Sequence, residues 1–418
     1  MLELLPFSDF AQVHMRGVPF SGVCAASTLA TTLLLLTVLW WRRASPGADS
    51  SHRTRGPALT TLRVFVAGLA LAPLAVVRSI VLWRVGLNGF GAMCMCWYDL
   101  VLALPIACAS VWIAARRGIP VDRGALRWSW LGLGAIGVGV YASAIEPRRL
   151  VVETVRCRLE HDRVGEQPLR IGVLADLQNW RIGEFEWKVA HTLRAQQPDL
   201  VLLPGDLFQG SPAQYAAARG ELVRLLRFLS ETAPTYAVLG DTDDGADFQQ
   251  LVADGGVTVL WNSSTTIRVK DRLVRLGGAL PFHVFHDHVG KHGAATIDRL
   301  DRVYTRAFDA EPDDGAIRIL FGHHGEVFDD LRRDSSVDLV VAGHTHGGQV
   351  QLPWIGPPIT FSGLPNWIAA GGLFRPHGAT WIYQSRGIGL ERHQAPRIRF
   401  LCPPTLGVIE LVDAAGSP

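Results

Sequence analysis

Four long apolar stretches crowd the first 147 residues, and they restrict the fold more than any other feature of the chain. They run over 21–41, 59–83, 97–115 and 128–145. Each approaches the ~20 residues that a helix needs to cross a bilayer. Arg63, Pro73 and Arg78 make the second the least regular, and Asp99 stands near one end of the third. Trp40, Trp41, Trp83, Trp97, Trp112, Trp128 and Trp130 sit mostly near the edges, where indoles favour the membrane interface. A cleaved leader does not explain the first stretch, which lacks a strongly charged start and a small-residue cleavage site. Buried core helices do not explain the set, because the adjoining polar sequence is too short to cover them. The expectation is an all-α transmembrane region of four helices over 1–147, with a separate domain over 148–418.

Loop charges orient these spans. Arg42, Arg43, Arg53 and Arg55 follow the first, and Arg116, Arg117, Arg123 and Arg127 follow the third. Positive loops stay in the cytoplasm. Both termini and the C-terminal domain are then extracytoplasmic, with Arg148 and Arg149 arguing the other way. The hydrophobic content is 48% and the formal charge only +2, so the chain offers no basic stripe for nucleic acid. Six cysteines show no metal-type spacing, and "MCMC" (Met93–Cys96) reads as an apolar loop edge.

The C-terminal part alternates strand and helix. "LRIGVLADL", "PDLVLLPGDL", "PTYAVLGD", "AIRILFGHH" and "VDLVVAGHTH" read as buried strands. Glu184–Gln197, Ala213–Ser230, Asp298–Phe308 and Glu326–Arg333 read as helices between them. Such alternation means βαβ units and a largely parallel sheet. "GQVQL", "TWIYQS" and "LGVIELV" suggest a second, more antiparallel sheet.

Each buried strand ends in a polar residue, often beside glycine: Asp176, Asp206, Asp241, His323, then His344 and His346. Loops at the carboxyl ends of strands form the ligand crevice of open α/β sheets. Three carboxylates and three imidazoles make a mixed oxygen–nitrogen set that suits Mn, Fe or Zn better than Ca. A carboxylate shared by two ions ~3.5–4 Å apart is the clamp used in phosphate-ester hydrolysis, and Asp176 or Asp206 is placed to bridge.

These motifs resemble the calcineurin-like metallophosphoesterase superfamily, in particular a membrane-associated bacterial branch ending in "GHTHGGQ". The resemblance covers about Val151 to Val412 and rests on "ADLQ" (Ala175–Gln178), "GDLF" (Gly205–Phe208), "GDTD" (Gly240–Asp243), "GHH" (Gly322–His324) and "GHTH" (Gly343–His346). "YQSRGIG" and "RFLCPP" downstream are similar to the closing strands of that branch. It implies an α/β fold of two packed sheets flanked by helices, and in-line attack on phosphorus by a hydroxide held on two divalent ions. It places one ion on Asp176 and His346, the second on Asp241, His323 and His344, and Asp206 between them. Three positions depart from the family pattern. Gln178 stands for a histidine ligand and Asp241 for an asparagine, and Thr242 replaces a histidine near the leaving group. Threonine cannot act as a general acid at neutral pH, a role typically worth ~10²–10⁴-fold. His324 is a candidate replacement acid, and Arg181 a candidate phosphate grip.

The expected partners are the bilayer and a phosphorylated small molecule or lipid headgroup. The reading from another class is a degenerate relative that binds phosphate or nucleotide as a membrane sensor without turnover. "FHVFHDHVGKH" (Phe282–His292) reads first as solvent-exposed histidines, then as a polar rim loop over the site and last as a separate metal site, and 42–56 reads as a flexible cytoplasmic loop. Gln351–Phe374, apolar and broken by proline, is expected to cover the sheet. Exposure would instead make it a lipid-docking surface.

Overall fold

The computed structural model describes residues 24, 27–29, 32, 89–118, 121, 123–160, 163–243, 245–280, 303–392 and 395–413. The chain divides into two compact units: Met1–Ser143 with Glu391–Arg397, and Ala144–Leu390 with Ile398–Pro418. Among the described residues two helices, α1 (Phe90–Arg116) and α2 (Arg123–Arg148), are long and apolar enough to cross a bilayer. They contain the third and fourth expected spans. The second span lies outside the described residues, as does most of the first, together with the 42–56 and Phe282–His292 segments. "MCMC" is no loop edge, because its residues lie inside α1. None of the six cysteines, all among the described residues, forms a disulfide.

The second unit contains two six-stranded sheets. The first has the order β1-β12-β2-β3-β4-β5, from β1 (Val151–Leu159), β2 (Leu169–Val173), β3 (Leu200–Leu203), β4 (Thr235–Ala237), β5 (Thr258–Val259) and β12 (Thr405–Asp413). The second has the order β10-β11-β9-β8-β7-β6, from β6 (Ser263–Val269), β7 (Arg272–Ala279), β8 (Ile317–Gly322), β9 (Leu339–Ala342), β10 (Gly372–Phe374) and β11 (Trp381–Gln384). Both sheets are mixed. The late strands form no antiparallel sheet of their own. β11 lies parallel to β9, and β12 runs parallel to β1 and antiparallel to β2. "GQVQL" makes only isolated bridges at Val350 and Leu352.

Alternation along each strand builds the layers. Ile171, Val173, Leu200 and Leu202 of the first sheet meet Ile317, Ile319, Leu339 and Val341 of the second in one core between the sheets. The opposite-facing Val201, Leu203 and Ala237 are covered by α3 (Glu184–Ala195), α4 (Pro212–Ser230) and α5 (Gly245–Asp254) through Val189, Leu222 and Leu251. Leu320, Val340 and Ile382 are covered by Phe308, Phe328 and Ile368. Burial on both faces explains why β3 and β9 are unbroken apolar runs. Helix α4 starts at Ser211, whose hydroxyl accepts from the Gln214 amide, with Pro212 in the first turn. Helix α5 carries no strong sequence signal and went unanticipated. The helix expected over Glu326–Arg333 is only a 3₁₀ turn, Gly325–Phe328.

Candidate metal centre

The loops after β2, β3, β4, β8 and β9 meet at one edge. Glycine makes the meeting possible. Gly205 has a φ of +84°, and a Cβ there would lie 2.6 Å from the Gly240 Cα. A Cβ on Gly240 would lie 2.1 Å from the Asp206 nitrogen. The glycine of each "GD" pair is therefore a packing necessity between neighbouring loops. Gly343 similarly lies against both Asp176 carboxylate oxygens.

Two overlapping groups of possible ligands result: Asp241, His323, His324 and His344, and Asp176, Asp206 and His323, with the ligand atoms of each within 4.8 Å of one another. His323 Nε2 is 3.4 Å from Asp206 Oδ2 and 3.7 Å from Asp241 Oδ2. His344 Nδ1 is 3.1 Å from Asp241 Oδ2. His323 is common to both groups, but an imidazole nitrogen has a single lone pair. A carboxylate has two oxygens, so Asp206 remains the residue suited to stand between two ions.

Buried polar atoms test whether cations fit. His323 is fully buried and sends Nδ1 to the Pro204 carbonyl at 2.8 Å. That bond fixes the tautomer and leaves the Nε2 lone pair facing the carboxylates, the usual second contact of a metal-binding histidine. His323 Nε2 and Asp176 Oδ2 are buried without a hydrogen-bond partner. Polar atoms left so cost ~1–3 kcal/mol each unless a ligand meets them. The residues present fit divalent ions.

Strain is concentrated in the same residues. Asp176, Gln178, Asp206, His344 and His346 have φ of 51°, 41°, 55°, 70° and 48°. The left-handed region costs a non-glycine residue ~1–2 kcal/mol, and such residues cluster at functional sites.

The field follows from burial. It pushes Asp176 up to about 7, with the Asp206 charge adding to the rise and His323 opposing it. Asp241 is also penalised by burial, yet His323, His324 and His344 hold it well below the usual carboxylate range. His344 loses by burial but is raised to about 9 by Asp241. His346 is depressed by burial and by the Arg399 guanidinium, which keeps it neutral and able to donate a lone pair.

The remaining expected residues are placed as follows. Gln178 is buried and donates from Nε2 to Asp206 Oδ2 at 2.9 Å. His346 is buried beside the Gly389 backbone and belongs to neither group. Thr242 donates its amide to Asp206 Oδ1 at 2.8 Å and its hydroxyl to the Phe208 carbonyl at 2.9 Å. His324 does not point at solvent. Its Nε2 is 2.9 Å from Asp241 Oδ2, and its ring stacks on His344 at 4.0 Å. Arg181 is exposed on the turn before α3. Because the Thr242 hydroxyl proton is committed to Phe208, Thr242→Val is expected to change turnover less than ~3-fold. The change should cost ~1 kcal/mol in urea unfolding, the worth of one hydrogen bond.

Asp243, the last residue of "GDTD", has a role that its motif does not reveal. It is buried, and its carboxylate accepts four amides: Asp206 and Gly240 on Oδ2 at 2.8 and 2.9 Å, Leu207 and Phe208 on Oδ1 at 2.9 and 3.3 Å. It staples the β3 loop to the β4 loop. Burial raises it to about 6, against the lowering by those amides. The only hint in the sequence is the second aspartate of "GDTD".

Acidic and imidazole groups gathered at strand ends make an arrangement that could hold metal ions. Residues 169–348 match the family model described as Calcineurin-like phosphoesterase, and the chain carries a calcineurin-like metallophosphoesterase domain. It is 28% identical over 297 residues to the Bacillus subtilis Uncharacterized metallophosphoesterase YkuE, covering 67% of this chain and 93% of that one. It is 28% identical to the Escherichia coli Phosphodiesterase YaeI, over 62% of this chain and 88% of that one. A Chlamydia muridarum protein named UDP-2,3-diacylglucosamine pyrophosphatase LpxG is 24% identical, over 65% of this chain and 92% of that one.

Proposed function

We propose that the chain is a membrane-anchored phosphoesterase with two divalent ions, Mn, Fe or Zn, acting on a phosphate ester or pyrophosphate bond of a lipid-linked or envelope compound. Residues 1–147 would form the transmembrane region and 148–418 the catalytic domain, on the extracytoplasmic side. The observation that carries the reading is the pair of ligand groups that share His323. Asp176 and His346 would hold one ion, Asp241, His323 and His344 the other, with Asp206 between. Bound divalent ions supply charge neutralisation at phosphorus and lower the pKa of water. The chain supplies the rest. The Thr242 amide and the Gln178 side chain orient the Asp206 carboxylate. His324, with Nε2 2.9 Å from Asp241 Oδ2 and its ring stacked on His344, would be the proton donor to the leaving group. The pyrophosphate alternative draws on the chlamydial relative, named as a UDP-2,3-diacylglucosamine pyrophosphatase.

Without a histidine at position 242, activity should favour good leaving groups. The purified full chain, loaded with Mn²⁺, is expected to cleave aryl phosphates and pyrophosphate linkages at least ~10²-fold faster than alkyl monoesters. Equal rates on both classes would sink the leaving-group argument. The sensor reading draws on Gln178, whose amide nitrogen rather than its oxygen faces Asp206. Metal analysis of the same preparation separates the two, since two ions with turnover support the enzyme and one ion without turnover the sensor.

A further inference from the structure

The segment after the last motif is buried only in part: Leu364, Ile368 and Ala369 pack on the second sheet, and most of the rest faces solvent. Gln351–Phe374 contains no charged residue. Trp354 is fully exposed, and Ile355, Trp367 and Phe361 are 68%, 54% and 50% exposed, with Leu352 and Ile359 also open to solvent. An ordinary soluble surface intersperses charges among such residues, and contiguous apolar exposure marks an interaction site. The segment is built, not loose. Leu352 and Gly356 exchange two backbone hydrogen bonds at 2.9 Å, and Asn366 Nδ2 donates to the Pro357 carbonyl at 2.8 Å. Glu326 accepts from the Ser362 hydroxyl at 2.7 Å.

Two observations tie this lip to function. Trp354 has a φ of 64°, a region that a bulky side chain enters only under strain. Fold stability gains nothing from a strained tryptophan whose ring touches only water. The second is a direct link to the site: His344, whose Nδ1 faces Asp241, sends Nε2 to the Phe361 carbonyl at 3.3 Å.

We infer that this lip seats on the bilayer surface and presents headgroup phosphates to the metal centre. The inference rests on the membrane-anchored reading above. Chain connectivity selects the bilayer as the occupant. Helix α2 ends at Arg148 and β1 begins at Val151. The two residues between them reach only ~7 Å when extended, so a domain tethered there stays at the lipid surface. Tryptophans favour that interface, where the ring is apolar on its faces and can hydrogen-bond at its edge.

The test places a benzophenone amino acid at position 354 of the full chain. The protein is reconstituted in vesicles of phosphatidylethanolamine and phosphatidylglycerol, irradiated, and analysed by mass spectrometry. Lipid adducts are expected at least ~10-fold above those from the same group at Ala217, on the exposed face of α4. A second probe at Ile355 guards against misfolding of the first. Adducts no higher than at Ala217, or a crosslinked dimer in place of lipid, would overturn the inference. An alkaline carbonate wash separates the two readings. Release of the chain from the vesicles defeats membrane anchoring, whereas retention without adducts at 354 and 355 defeats only the lip.

Discussion

Asp206→Asn is expected to lower turnover by ~10³-fold or more and to leave the chain with fewer than two bound ions. The carboxylate sits between the two ligand groups, with Oδ1 held by the Thr242 amide and Oδ2 by Gln178 and near His323 Nε2. An amide keeps the shape and one acceptor oxygen but loses the charge and the second oxygen. Its NH₂ would also face the Gln178 NH₂. Loss of several kcal/mol of stabilisation at each 1.36 kcal/mol per decade gives the size of the effect. The metal-free fold should not suffer, because one of three crowded carboxylates has been neutralised. Metal content by mass spectrometry, turnover of an aryl phosphodiester and a melting curve check the three parts together. Two ions and unchanged turnover in the variant would refute the assignment of Asp206.

Asp243→Ala is the second large effect, and it acts through the backbone. Four buried amides lose their acceptor at once. A stranded buried donor costs ~1–3 kcal/mol, so even with water entering the gap a loss of ~3 kcal/mol or more is expected. The β3 loop, freed from the β4 loop, would no longer hold Asp206 and Asp241 at a fixed separation, and metal affinity should fall with stability. Asp243→Asn should be intermediate, since one oxygen remains while an NH₂ meets two amide donors. Urea unfolding and metal titration of both variants decide the matter. Stability within ~1 kcal/mol of the parent in Asp243→Ala would show that the staple is dispensable.

The candidate ligands were legible because each ends an apolar run and all but Asp176 stand beside glycine. Asp176, Asp206, Asp241, His323 and His344 converge as that pattern implies. The glycines signal backbone crowding, which is a local requirement and so leaves a local mark. Asp243 left almost none, because a carboxylate that accepts amides from a distant loop looks like any loop aspartate. Strand positions were readable from apolar runs, but sheet membership was not. β11 and β12 both read as late, largely apolar strands, yet one joins the second sheet and the other the first. That choice depends on which edge is vacant when the strand arrives, a property of the assembled molecule. Gln351–Phe374 was legible only in part: Leu364, Ile368 and Ala369 do cover the second sheet, while Trp354 and its neighbours do not. Hydrophobicity argues for burial, and the exposure of Trp354 goes against local propensity, as functional surfaces do.

β12 lies between β1 and β2, one strand in from the edge of its sheet, although β1 and β2 are separated from it by more than two hundred residues of chain. A growing polypeptide can therefore complete the second sheet on the ribosome but must leave the first one split. Until residue 413 emerges, β1 and β2 each expose an unpaired edge to any neighbouring nascent chain. A premature stop that removes Thr405–Asp413 would do more than shorten the protein. It should yield a product that retains every candidate ligand yet is cleared by quality control.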